Sequence, residues 1–165
     1  MKKKLYLDTS VISHLYAPDK PDWMAITLQL WEQIQAEEFD IVLSEIVFSE
    51  LRKCREPKLS YVMSFLEKIP YTMVEPDDRT IEIAKKFIGF GVLTERDFND
   101  CRHIASALMA GCDIIVSWNL NHMVNVKTID GARAIAALEG FRDVLIYAPY
   151  VLIRRDFNDE YYSRT

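Results

Sequence analysis

Short apolar runs alternate with helical stretches along nearly the whole chain, and this alternation constrains the fold more than any other feature. Residues 5–7, 40–43, 72–74, 113–117 and 144–147 read as strands. The stretches between them keep apolar residues at helical spacing, with Met24, Leu28, Trp31 and Ile34 in one and Ile81, Ala84, Phe87 and Ile88 in another. Strands separated by helices cannot pair as hairpins, so the pattern implies an α/β fold with a mainly parallel sheet covered on both faces.

Local signals set the expected boundaries. Thr9 or Ser10 caps a helix through residue 15, Asp22 one through about 38, and Ser44 one through about 55 that Pro57 stops. Further helices are expected over 58–69, 77–90, 96–110 and 130–138, with Gly89, Gly91, Gly111 and Gly140 as terminators. Residues 150–153 extend the sheet edge or pack across it. The chain, 165 residues in all, reads as a single domain over 1–153 with a polar tail over 154–165.

Three acidic residues stand out because each sits in an apolar setting. Asp8 closes the run Leu5, Tyr6, Leu7; Glu50 lies among Ile46, Val47, Leu51 and Cys54; Asp100 precedes Ile104, Ala107 and Leu108 at helical spacing. A carboxylate on a core-facing stripe is costly unless its charge is compensated. Three of them, gathered by a fold, point to a divalent cation, and oxygen ligands suit Mg²⁺ or Mn²⁺. Such an ion activates water and stabilises a leaving oxygen, which is the chemistry of phosphodiester hydrolysis.

Each acid alone has an ordinary reading of equal weight. Asp8 suits a turn or cap, Glu50 pairs with Arg52, Lys53 or Arg102, and Asp100 caps a turn at Asn99. Asp97, one turn before Asp100, is a reserve ligand at the rim. Ser10 is placed to orient Asp8, while Ser117, Asn119 and His122 supply polar groups after the fourth strand. His103, one turn from Asp100, touches that acid or a substrate, or is a satisfied, half-buried imidazole.

Composition narrows the function classes. The net charge of −5 argues against broad non-specific nucleic-acid binding. Local basic clusters remain, Arg52, Lys53, Arg55 and Lys58 in one and Arg154 and Arg155 in another, and either reads equally as a solvated surface. No segment has the length and purity of a membrane span. Lys2, Lys3 and Lys4 imitate the start of a signal peptide, but Asp8, Thr9 and Ser10 interrupt the apolar stretch. Cys54, Cys101 and Cys112, odd in number and without CxxC spacing, read as buried thiols of a reducing cytoplasm. They give a structural zinc site little support.

The chain resembles the PIN domain family, in particular the VapC-like toxins of toxin–antitoxin pairs. The matching pieces are Leu7-Asp8-Thr9-Ser10-Val11-Ile12, the segment 44–51 with Ser49-Glu50-Leu51, the segment 100–107 from Asp100 to Ala107, and 113–122 with Asn119 and His122. The resemblance implies a three-layer α/β/α PIN-like domain and a Mg²⁺- or Mn²⁺-dependent endoribonuclease. It puts the first three acidic positions of the family on Asp8, Glu50 and Asp100, and on Asn119 a fourth that is often Asp. It also implies a cytoplasmic homodimer acting on RNA and silenced by a small antitoxin. An amide at the fourth position contributes no charge, so a catalytically impaired RNA-binding or protein-interaction module stands as the alternative. An acid-nucleophile phosphatase lacks its second acid, because Ser10 takes that place, and no GxGxxG turn supports a dinucleotide site.

Overall fold

The structure, a computed structural model, describes residues 1–154. The expected tail falls almost wholly on residues 155–165, outside the described residues. The strands are β1 (Lys3–Leu7), β2 (Phe39–Ser44), β3 (Thr72–Val74), β4 (Ile114–Val116) and β5 (Leu145–Tyr147). They form one sheet in the order β3-β2-β1-β4-β5, and every neighbouring pair is parallel. Helices α1 (Thr9–Ser13), α2 (Pro21–Gln35), α3 (Glu45–Leu51), α4 (Lys58–Leu66), α5 (Asp78–Gly89), α6 (Phe98–Met109), α7 (Val126–Glu139) and α8 (Pro149–Leu152) complete the order.

The two-residue period of the strands divides the core into the two expected layers. Leu5, Leu7, Ile41, Leu43, Ile114 and Val116 pack beneath α1 to α4. Tyr6, Val42, Ile115 and Ile146 point the other way, against Ile83 and Phe87 of α5, Ile104 and Leu108 of α6 and Ile135 of α7. Each fully buried Leu or Ile contributes roughly 1.5–3 kcal/mol. A one-residue slip of β1 would exchange Tyr6 with its aliphatic neighbours across the sheet, so the register is strongly specified.

Several boundaries differ from the sequence expectation. Asp8, not Thr9 or Ser10, occupies the N-cap position of α1, and no side chain caps that helix. Ser44 holds the cap position of α3, yet its hydroxyl bonds the Tyr6 hydroxyl at 2.7 Å instead of a helix amide. Helix α2 starts from Lys20 with Pro21 and Asp22 in its first turn, and ends at Gln35. Helix α3 stops at Leu51, and Cys54 lies beyond it, partly exposed where a buried thiol was expected. A 3-10 turn, Glu95–Asp97, precedes α6 and is closed by the Thr94–Asp97 capping box. Helix α7 begins at Val126, four residues early, because the Asn125 side chain caps the Thr128 amide. Residues 149–152 are helical and pack on α2, with Pro149 in the first turn, so they do not extend the sheet edge. No helix among the described residues is long and apolar enough to cross a membrane.

One close approach yields a stability prediction. A Cβ on Gly131 of α7 would lie 2.6 Å from both Val92 methyl carbons. Gly131→Ala is therefore expected to destabilise the protein by about 1–3 kcal/mol despite alanine's better helix propensity. Urea denaturation checks this, and unchanged or higher stability would contradict the tight packing.

Candidate active site

Strand order reverses around β1: β2 and β3 lie to one side, β4 and β5 to the other. The carboxyl ends of β1 and β4 thus flank the crevice where open α/β sheets bind ligands. Asp8 follows β1 there, and its amide bonds the Val116 carbonyl at 3.0 Å, continuing the ladder and fixing the side chain's origin. It is 5% exposed. Its Oδ2 accepts from Ser10 Oγ at 2.6 Å and from Ser117 Oγ at 2.8 Å. Those hydroxyls are themselves aligned, since the Trp118 amide donates to Ser10 Oγ and the Asn119 amide to Ser117 Oγ, both at 2.9 Å.

Glu50 projects from α3 and Asp100 from the first turn of α6. Glu50 Oε1 accepts from Thr9 Oγ1 at 3.0 Å and lies 2.5 Å from His103 Nε2. That imidazole is fully enclosed: its Nδ1 meets the Tyr6 hydroxyl at 2.6 Å, and Nε2 is also 3.5 Å from Asp8 Oδ1. Asp100 Oδ2 accepts from Asn119 Nδ2 and lies against His122 Nδ1, each at 3.3 Å. His122 Nδ1 is in turn 3.1 Å from Asp97 Oδ1.

Asp8, Glu50 and Asp100 therefore line one cavity of about 570 Å³, together with Ser10 and Asn119. Ser117, His103, His122 and Asp97 stand behind them as neighbours of these acids. Among the described residues, Asp97, Asp100 and His122 form a three-ligand group whose ligand atoms lie within 4.8 Å of one another. Glu50 belongs to the cavity but turns to His103, in place of the Arg or Lys partners open from sequence. Arg52 instead bonds Glu45 at 2.9 Å on the outer face.

Electrostatics follow from this crowding. Burial raises the Asp100 pKa, the Asp8 charge raises it further, and the nearby histidines only partly offset this, so it stays above 3.8. Burial opposes a charged Glu50, but the His103 and Thr9 hydrogen bonds and the His103 charge prevail and hold its pKa below 4.5. Burial likewise opposes a charged His103, but the Glu50 hydrogen bond and the charges of Asp8, Glu50 and Asp100 carry its pKa above 6.5. Cys101, beside Asp100, is pushed up to about 12 by burial and by the neighbouring acids, which makes it an inert thiol.

A pH dependence follows for the metal-free protein. The raised His103 contributes stability that is complete below pH 6.5 and lost as pH rises through its folded pKa. The depressed Glu50 contributes stability complete above pH 4.5 and lost as pH falls through its folded pKa. Urea midpoints in chelator are expected to peak between these limits and decline on both sides. His103→Leu should remove the alkaline decline, and its persistence in that variant would refute the assignment.

Sequence reasoning missed Tyr6, Thr9 and Ser44, which anchor His103 and Glu50. It also missed a wall of the same cavity formed by His14, Lys20, Trp23 and Trp118. Tyr6 lies in an apolar run that hid its hydroxyl. Trp23 shares the helical phase of Thr27, Leu30 and Ile34, so it reads as core, and its closeness to Lys20 was the available signal.

The model of the PIN domain matches residues 5–122. The chain belongs to the PIN domain family, whose members are generally nucleases. Its structure is also similar to the crystal structure of VapBC2 from Rickettsia felis bound to a DNA fragment from their promoter. That likeness has a TM-score of 0.54 at 15% identity and covers 88% of this chain and 98% of the other. At such identity it speaks for the fold. No curated protein sequence matches the chain.

Proposed function

We propose that this protein is a divalent-metal-dependent endoribonuclease and the toxin of a toxin–antitoxin pair. The observation that carries the reading is the set of three carboxylates lining one cavity, each with one oxygen tethered by side chains. Among the described residues no hydrogen bond engages Asp8 Oδ1, Glu50 Oε2 or Asp100 Oδ1. Hard oxygen donors fit Mg²⁺ or Mn²⁺, and the raised Asp100 pKa reflects first its burial and then the Asp8 charge, a cost of ionisation that a dication offsets. Asp8, Glu50 and Asp100 would hold the ion. Bound there, it would polarise a phosphoryl oxygen and acidify an attacking water.

The chain's own residues supply orientation. Ser10 and Ser117 hold one oxygen of Asp8, Thr9 and His103 hold one of Glu50, and Asn119 and His122 hold one of Asp100, with Asp97 behind His122. Loss of such a tether commonly costs about 10–100-fold in metal affinity or activity. The motif resemblance to VapC-like toxins supports a small antitoxin partner, cytoplasmic RNA as substrate and a homodimeric assembly, and the fold shared with VapBC2 agrees with it.

A second reading has one specific observation behind it. Asn119 Nδ2 donates to Asp100, and its Oδ1 accepts from the His122 amide at 3.0 Å, so both ends of the amide already hold the loop. That favours a PIN-like module with impaired catalysis that binds RNA or protein.

Incubating structured and single-stranded RNA with the protein separates the two. Fragments are expected with Mg²⁺ or Mn²⁺, none in excess EDTA, and fragments again when Mg²⁺ is restored. Cleavage that persists in EDTA would overturn the metal assignment. RNA retained without cleavage under every condition would favour the second reading.

A further inference from the structure

One wall of the cavity is aromatic and carries the Lys20 ammonium. Trp23, half-buried near the start of α2, stacks on Trp118 with ring centroids 4.4 Å apart and planes 8° from parallel. Trp118 is 3% exposed and anchored, since its indole N–H donates to Thr27 Oγ1 at 2.9 Å. Lys20 Nζ lies 4.2 Å from the Trp23 ring centroid, and the His14 ring packs 5.3 Å from the same indole. His14 is fixed by a 2.7 Å hydrogen bond between Nδ1 and the Ser10 carbonyl. Ser10 also joins this wall to the acids directly, because its hydroxyl accepts from the Trp118 amide and donates to Asp8.

Core packing accounts for only part of this arrangement. Trp23 shares the helical phase of Thr27, Leu30 and Ile34, which α2 buries, yet is itself only half-buried. It lines the cavity that holds the acids, on a rigid indole base, with an exposed ammonium over its ring. A flat π-face adjoining a cation and a site for phosphate is the chemistry that takes an unpaired nucleobase and its backbone.

Resting on the proposed nuclease reading, we infer that Trp23, backed by Trp118, is a stacking platform for one base of a single-stranded polynucleotide, beside the phosphodiester bond that is cut. Lys20 leaves the ring as the base arrives and pairs with an adjacent phosphate. A base held in a duplex cannot present its face to Trp23, so the platform selects unpaired substrate. It also tolerates every base, because stacking reads a face and not an edge.

The test uses the intact protein and fluorescein-labelled single-stranded oligouridylate with Ca²⁺, read by anisotropy, alongside cleavage of the same oligomer with Mg²⁺. Trp23→Leu is expected to weaken binding about tenfold, the loss of one base–aromatic stack. Trp23→Phe should restore most of it, and a blunt duplex should bind less well than the single strand. Melting by circular dichroism verifies that the Leu variant is folded. One abasic position should weaken wild-type binding and add no further loss in Trp23→Leu. Equal affinity of wild type and Trp23→Leu, equal binding of duplex, or no wild-type binding overturns the inference. If Trp23→Leu binds normally while wild type cleaves, the platform fails and the nuclease stands. If stacking is found without cleavage, the nuclease fails and the platform stands.

Discussion

Asp8→Asn is expected to lower RNA cleavage roughly a thousandfold, the rate equivalent of about 4 kcal/mol of lost transition-state stabilisation. The substitution conserves volume at a site 5% exposed, and the Ser10 and Ser117 hydroxyls can still donate to the remaining carbonyl oxygen. Only charge is removed. The Asp8 charge helps to raise the Asp100 pKa but also favours the buried His103 cation, so the two effects of its loss on thermal stability in chelator oppose each other. The informative measurement pairs single-turnover cleavage with a melting curve. A stable variant that keeps more than about a tenth of the wild-type rate would remove Asp8 from the chemistry.

His103→Leu should give the largest change in stability. The imidazole lies against two carboxylates and a tyrosine hydroxyl inside the protein, and removing it leaves Asp8 buried without its adjacent cation. Breaking a buried pair from one side costs about 3–5 kcal/mol. That loss should appear in urea denaturation at pH 6 in EDTA, where wild-type His103 is charged. Tyr6 keeps Ser44 and Glu50 keeps Thr9, so the variant loses partners without losing the whole network. Excess Mg²⁺ should recover much of the deficit, because a dication among the acids replaces the missing positive charge. Equal stability in EDTA, or no recovery with Mg²⁺, would show that the imidazole is not a counter-charge for these acids.

The sheet was legible because its signal is local. A three-residue apolar run such as Thr72–Val74 needs only its turn-forming neighbours to be recognised. The start of α7 was not, since Val126 is 75% exposed and breaks the apolar phase, while the Asn125 cap lies among asparagines that read as turn. Residues 149–152 carry a helix-starting proline that reads equally as a strand stop. At the site, the acids announced themselves as polar intrusions on apolar stripes. Their tethers did not, because Ser117 reaches Asp8 across 109 residues and Thr9 reaches Glu50 across 41, separations that leave no periodic trace. The stacking of Trp23 on Trp118 is equally non-local. Direction was the other limit: spacing placed Glu50 on a core-facing stripe, but only packing showed it turning to His103.

The placement of β1 between β2 and β4 also bears on when the protein becomes active during its own synthesis. Asp8 emerges from the ribosome early, but Ser117 and Asn119 follow the strand that must dock beside β1. A nascent chain ending before that strand holds its first carboxylate without the second serine, the amide or His122. Translation must therefore run through residue 122 before the pocket can close around its acids, and products truncated before that point are expected to spare RNA.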